Sequence, residues 1–435
     1  MFFPARHINM VKSQIFSVVV STAVTTLLVL SLHAFEGGRR PPPLPNYDHR
    51  QEFFSSPNVA NTTAAAKVKM ENLYDVQNNT LGCQEVKMIS MPFRGDRQDA
   101  FAMQAVLSGI SYDQVDGVDG STVPKKAQPH RMDQDDQTVG CWRAHVNIWR
   151  DMILRNVQST MIFEDDADWD VAFKSQLVQF ARGSRWLEGL NEGDIPTSPY
   201  GDDWDILWLG HVAVSDESPY INGEKDGRRW VIPKDPTVLP IIERTENKPW
   251  PDMSPWEGDE QTRIVLYTTW SLNTAAYAIS QRGAKKLLYH LSMLPFNDAV
   301  DQGMGWLCKY RIAGIKCIAP FPSIVGVSKP PGGADRWSDI SHVEEWAQGK
   351  EFELGFSLRV MFSTRQNIDR LLNGEKKFIS KQGTEMHIDE IGAAVGHPQY
   401  LDVFPKLKLK PEDSMPPDRE RMRVVDFTPK MKNGG

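Results

Sequence analysis

The sequence predicts an α/β domain built on a mostly parallel, twisted sheet, and two observations carry that expectation. From residue 85 onward, short apolar runs alternate with segments of helical period, and strands alternating with helices favour parallel pairing. One of those runs, Met161-Ile-Phe163, opens directly onto Glu164, Asp165 and Asp166, with Asp168 and Asp170 just behind. In such sheets ligands sit at the carboxyl ends of strands, and that is where these acids fall.

Taken in order, residues 86–91 read as a strand, 92–97 as a loop, 98–107 as a helix and 112–115 as a second strand. A polar loop over 124–136 leads to a helix over 139–155, with Ala144, Ile148, Trp149 and Met152 on roughly one face. The strand over 159–163 ends at the acids. Residues 171–181 read as a helix, 183–203 as a loop and 204–211 as a strand with its exit. Residues 212–267 carry Pro, Trp and charge with little period. They read as an irregular insert, with Trp230, Trp250 and Trp256 on the acceptor side. A strand over 274–279, helices over 281–294 and 300–311, a strand over 315–319, a loop over 324–340 and helix within 344–372 complete the body.

Around that body the chain divides into residues 1–14 as a short cytosolic tail, 15–35 as a transmembrane signal anchor, 36–84 as a flexible stem, 85–400 as a single catalytic domain and 401–435 as a disordered tail. Residues 15–32 carry no charge, and as a helix they would span about 27 Å, enough for a thin bilayer. A cleaved signal peptide is the rival, but its apolar region is usually shorter and Leu32-His33-Ala34 is a poor cleavage site. The stem begins Gly37-Gly-Arg-Arg-Pro-Pro-Pro and carries the glycosylation patterns Asn61-Thr-Thr63 and Asn78-Asn-Thr80. The expected location is the Golgi or endoplasmic reticulum membrane, single-pass type II, with the body lumenal.

A net charge of −7 gives no support to nucleic-acid binding. Four cysteines are too few for a disulfide scaffold, and their spacing matches no zinc pattern. Cys308 and Cys317 are close enough in sequence to pair if the compartment is oxidising.

Three adjacent carboxylates repel one another unless a cation or basic ligand neutralises them. A divalent metal, Mn²⁺ or Mg²⁺, held by Glu164, Asp166 or Asp168 is the expected chemistry. The bland alternative is a solvated acidic turn whose outer acids cap the following helix. Glu164 and Asp166 share a face if the strand continues, and Asp165 then faces a ribose hydroxyl or Arg94 or Arg97. Arg94 and Arg97 suit a phosphate or another anionic group. His145 suits a diphosphate from a helix first turn, and His211 stands at a strand exit.

Several segments in shared order resemble glycosyltransferase family 25, the lipooligosaccharide and collagen galactosyltransferase group, and its fungal membrane-anchored members most. They are Met88-Ile-Ser-Met-Pro-Phe-Arg94-Gly-Asp96-Arg97, Val118-Asp119-Gly120, Gly140-Cys141-Trp-Arg-Ala144-His145, Glu164-Asp165-Asp166, Trp204-Asp205-Ile206 with Leu209-Gly210, and Tyr277-Ala-Ile279-Ser280 with Gly283-Ala284. Ala144 stands where the family has Ser. The resemblance implies a GT-A-like fold and a UDP-sugar donor bound by Arg94, Arg97, Asp119, His145, Asp165 and His211. It also implies a divalent metal and galactose transfer with inversion to a glycan or glycoprotein acceptor. Inversion in one displacement needs a base, for which Asp301 is the first choice and Asp298 the second. Two other readings are a catalytically inactive lumenal glycan-binding or scaffold protein, and a metal-dependent phosphoryl hydrolase. The hydrolase would need a second metal cluster or a nucleophile.

Overall fold

A computed structural model describes residues 71–191, 193–216, 228–248, 250–251, 253, 260–340, 347–395 and 425–426. The expected cytosolic tail, the anchor and residues 36–70 of the stem lie outside the described residues, as does the C-terminal tail apart from Val425 and Asp426. Among the described residues no helix is long and apolar enough to cross a membrane.

In chain order the main elements are β1 (Glu85–Ser90), α1 (Gly95–Leu107), β2 (Asp113–Asp116), α2 (Asp136–Leu154), β3 (Ser159–Glu164), β4 (Ala167–Trp169), α3 (Phe173–Leu187) and β5 (Ile206–Gly210). There follow β6 (Ala213–Ser215), β7 (Arg228–Ile232), β8 (Arg263–Tyr267), β9 (Trp270–Leu272), β10 (Ala276–Ser280), α4 (Gln281–Leu288) and α5 (Val300–Lys309). The chain then forms β11 (Cys317–Phe321), β12 (Val325–Lys329), β13 (Gly332–Gly333), β14 (Glu351–Phe352), β15 (Phe356–Leu358), α6 (Ile368–Leu372), β16 (Lys377–Ile379), β17 (Glu385–His387), α7 (Ile388–Ala394) and β18 (Val425–Asp426).

The large sheet runs β18-β7-β8-β11-β5-β10-β3-β1-β2. It is mixed, which corrects the expectation of a mostly parallel sheet. Only β1–β2, β1–β3 and β5–β11 pair parallel. The pairs β3–β10, β5–β10, β8–β11, β7–β8 and β7–β18 are antiparallel. Parallel strands need a crossover, usually a helix. The expected irregular insert over 212–267 supplies β7 and β8, with no α-helix between them among the described residues, and the chain returns antiparallel. A large mixed sheet with helices on both faces fits the GT-A-like expectation.

Period-2 alternation decides which face each strand residue serves. Met161 and Phe163 of β3 point to one core, with Phe101 of α1 and Leu177 and Phe180 of α3. Ile162 points to the other, with Trp142, Val146 and Trp149 of α2, Leu287 of α4 and Met304 and Leu307 of α5. Fully burying a side chain such as Phe163 contributes about 1.5–3 kcal/mol. Helix α2 begins at Asp136 because the Asp135 carboxylate accepts the Thr138 N–H at 2.7 Å. Ser280 caps α4 likewise, through the Gly283 N–H at 3.0 Å.

Three further boundaries differ from expectation. Residues 71–84 belong to the folded body, because Leu73, Val76 and Leu81 are buried in the first core and the short helix Leu73–Gln77 packs on α3. Their apolar positions are too sparse to read as an element. Within that segment Asn78 is exposed, and its side-chain oxygen accepts the Thr80 N–H at 2.8 Å. The expected loop over 324–340 supplies β12, and the stretch expected to hold helix within 344–372 supplies β15 as well as helix α6; β12 and β15 form a small sheet β15-β12-β4. Five- and three-residue strands give too little period to detect. Trp230 is buried in the first core and Trp250 packs on Phe321, so neither is an open acceptor platform; Trp256 lies outside the described residues. A disulfide joins Cys308, near the end of α5, to Cys317 at the start of β11.

Candidate active site

The carboxyl ends of β1 and β3 and the first turns of α2 surround a cavity of about 720 Å³. It gathers Arg97, Asp119, His145, Glu164, Asp165 and Asp166, together with Ser90, Cys141 and Asp339. A smaller cavity of about 350 Å³ shares Arg97 and Asp166 with it and is lined also by Lys329, Arg336 and Arg365.

Two glycines shape the larger cavity. A Cβ on Gly120 would lie 1.8 Å from the Asp136 carbonyl oxygen, and one on Gly140 would lie 2.2 Å from the Val118 carbonyl oxygen. The turn carrying Asp119 therefore lies directly against the start of α2. The Asp119 carboxylate accepts the Ser121 N–H at 3.0 Å and the Ser121 hydroxyl at 2.7 Å, which fixes the turn. Gly140→Ala should cost about 3 kcal/mol or more through overpacking and push Asp119 outward, read as a lowered midpoint in urea denaturation.

The acids divide by environment. Asp165 is buried, and it accepts the Ser90 hydroxyl at 2.8 Å and an Arg97 N–H at 2.7 Å. Burial pushes its carboxyl up, against the pull of Arg97. Asp166 bounds both cavities, and its Oδ1 is enclosed with no hydrogen-bond partner among the described residues. Glu164 accepts the Thr274 hydroxyl at 2.5 Å and lies 3.6 Å from His145 Nε2. His145 is buried, with Nδ1 2.9 Å from the Tyr277 hydroxyl, to which Trp149 Nε1 donates at 3.0 Å.

Asp168 does not join them. It is fully buried beneath the loop, where Gln104 donates at 3.0 Å and the Ser357 and Ser363 hydroxyls both donate to Oδ2. The β4–β12 pairing turns the chain inward at this point, so the Asp-x-Asp spacing does not put Asp166 and Asp168 on a common open face. Asp170 is also buried and accepts the Ala172 and Phe362 N–H groups; desolvation raises its carboxyl to about 7.

Arg94 holds the rim and does not line the cavity. It grips Asp96 through two N–H groups at 2.9 and 3.0 Å and donates to Asp339 at 2.5 Å. That double contact lowers the Asp96 carboxyl to about 2. His211 lies in the core, donating Nε2–H to the Pro320 carbonyl at 2.8 Å, and burial lowers its imidazole to about 3. Asp301, on α5, lies in electrostatic reach of Glu164, and Asp298 precedes it in the loop; neither lines the cavity. Asp301 accepts the Asn273 N–H at 2.8 Å and its own Gln302 N–H at 2.8 Å. Burial raises its carboxyl, and the charges of Glu164 and Asp298 raise it further. Asp298 accepts the Trp306 indole N–H at 3.3 Å.

Sequence reasoning missed Arg365. Its guanidinium donates to the Asp165 carbonyl at 2.7 Å, the Ala167 carbonyl at 3.0 Å and Gln104 Oε1 at 2.7 Å, so it holds the acid loop by its backbone. It comes from a segment read as helix, and no local motif marks it.

The donor set suits a hard divalent cation. Asp166 offers an orphaned carboxylate oxygen and Glu164 a carboxylate bonded to one hydroxyl, the one or two carboxylates that such an ion uses beside phosphate oxygens.

Comparison with known proteins identifies the family. The model of the family described as glycosyltransferase family 25 (LPS biosynthesis protein) matches residues 83–304. Procollagen galactosyltransferase 1 of Danio rerio is 24% identical over 231 residues, 50% of this chain and 30% of that protein. Procollagen galactosyltransferase 1-A of Xenopus laevis is 25% identical over 231 residues, 49% of this chain and 30% of its own. A Bos taurus protein named probable inactive glycosyltransferase 25 family member 3 is 25% identical over 222 residues, 48% of this chain and 29% of its own. The match to these relatives therefore spans under a third of their length.

Proposed function

We propose that this chain, which belongs to glycosyltransferase family 25, transfers a hexose, galactose from UDP-galactose in first place, with inversion to a glycan or glycoprotein acceptor. The observation that carries the reading is the convergence of Arg97, Asp119, His145, Glu164, Asp165 and Asp166 on one cavity at the strand ends. A Mn²⁺ or Mg²⁺ ion held by Glu164 and Asp166 would stabilise charge developing on the leaving diphosphate. Arg97, fixed by Asp165 and the Trp337 carbonyl, presents positive charge beside the same carboxylates. Asp119 stands at the turn where a nucleoside hydroxyl could bond. Asp301 takes the acceptor hydroxyl proton, and burial, with the charge of Glu164, raises its carboxyl and so strengthens it as a base.

Residence in the secretory lumen belongs to the same proposal. It is supported by the Cys308–Cys317 bridge, the exposed Asn78 of a glycosylation pattern and the uncharged residues 15–32, which would anchor the chain in the membrane.

A donor panel read by thermal shift, with and without Mn²⁺, tests the site. UDP-galactose at a hundredfold excess over its Kd should add about 2.7 kcal/mol of stability. That gain should vanish in Asp166→Ala. A wild-type protein indifferent to every nucleotide sugar would sink the reading. A second reading, a binding protein without turnover, draws on the Bos taurus relative's name and on Ala144. It predicts the same shift but no sugar transfer or donor hydrolysis.

A further inference from the structure

The acidic corner carries its charge unevenly. Asp165 and Asp166 lie in the field of two guanidiniums, Arg97 and Arg365. Glu164, on the same cavity, also borders the Cys141 thiol, the His145 imidazole and the Asp301 carboxylate. Among the described residues, neither Glu164 nor Asp301 forms an ion pair with a lysine or arginine. Glu164 and the Cys141 thiol thus share one corner of the cavity, with the Asp301 carboxylate in electrostatic reach of both.

The donor atoms there are already gathered. Cys141 and His145 are one turn apart on α2 and face the end of β3. One donor atom each from Cys141, His145 and Glu164 lie within 4.8 Å of one another. The Tyr277 hydroxyl fixes the imidazole from behind at Nδ1, leaving Nε2 toward Glu164. All three residues line the cavity, so a fourth coordination position opens into it.

We propose that Cys141, His145 and Glu164 form a site for a borderline-soft divalent cation, zinc above all, distinct from the oxygen-coordinated ion of the transfer reaction. Thiolate and imidazole favour zinc over Mn²⁺ or Mg²⁺. Three protein ligands with an open fourth position is a recurring zinc arrangement. On binding, the Cys141 thiol proton leaves to solvent as the Zn–S bond forms. Nε2 and a Glu164 oxygen supply the other two bonds, with the imidazole proton on Nδ1 directed at the Tyr277 oxygen. The ligands come from two elements, so cysteine spacing alone gives no sign of the site. Because Glu164 belongs to both sites, zinc competes with donor binding. The zinc site itself rests on its donor atoms and not on the transferase reading.

Tag-free full-length protein, stripped of metal and titrated with Zn²⁺ and with Co²⁺ as a spectroscopic probe, tests this. The expected result is one equivalent of zinc retained through dialysis and a thiolate-to-Co²⁺ charge-transfer band. Cys141→Ser should abolish the band, and His145→Gln should weaken Zn²⁺ binding at least tenfold, while Asp166→Ala keeps both. Alkylation of Cys141 in the folded wild-type protein should remove the band too, which covers a variant that fails to fold. Absence of the band in wild type, or zinc retention unchanged in the Cys141→Ser, His145→Gln double variant, would overturn the proposal. A site lost in Asp166→Ala would do the same. Failure of sugar transfer leaves these readouts unaffected.

Discussion

Arg365→Met is expected to lower stability by about 3–5 kcal/mol and to abolish donor binding, read by urea denaturation and donor-induced thermal shift. Arg365 is the cation nearest the fully buried Asp168, and its N–H groups satisfy the carbonyls of Asp165 and Ala167. Methionine matches much of its volume but leaves a buried carboxylate without opposing charge and two carbonyls without donors. The pH dependence follows from the sign of the Asp168 shift. Burial already raises that carboxyl, with Arg365 lowering it in part. Without Arg365 the folded state would hold the Asp168 proton more tightly still. The deficit should therefore be full above the folded pKa and shrink as pH falls toward the ordinary carboxylate range. A deficit that does not shrink in acid would mean the cost lies in the carbonyls and not in Asp168. Arg365 opens partly onto the smaller cavity, which favours the lower end of the range.

Asp301→Asn is expected to reduce transfer kcat by about 10²–10⁴ while donor binding persists. The residue is tied by two backbone N–H groups at 2.8 Å, and asparagine keeps the shape but loses one of these bonds, because its NH2 cannot accept an N–H. Since burial and Glu164 raise the Asp301 carboxyl, the acid limb of the kcat/KM profile should fall above the usual carboxylate range as the base becomes protonated. That limb should disappear from the residual activity of the variant. Full activity in Asp301→Asn, with loss in Asp298→Asn, would move the base to Asp298.

What the sequence disclosed and what it hid have physical causes. The strands β3, β5 and β10 are near-continuous apolar runs buried on both faces, and β1 alternates buried apolar with half-buried positions; both patterns are visible without any partner. The ends of β1 and β3 then carry the acids and Arg97 to one place, which is why most of the expected site converges. Sheet direction was hidden, because β7 and β8 lie in a stretch whose composition resembles a loop. The fate of Asp168 was hidden too. Its burial depends on Ser357 and Ser363, roughly two hundred residues downstream, and no local pattern reports a contact of that span. The two glycines were legible as a turn and a helix start, but their mutual contact was not.

The bridge between Cys308 and Cys317 also has a practical side. Helix α5 is held at its start by the Asp301 contact to Asn273 and at its end by that covalent link to the sheet. Protein made in a reducing cytosol would carry this helix fastened at one end only, and preparations of mixed oxidation would mix tight and loose forms. Titration of thiols after denaturation grades a preparation directly. With four cysteines in the chain, two free thiols, those of Cys83 and Cys141, mark the fastened form, and four mark the loose one.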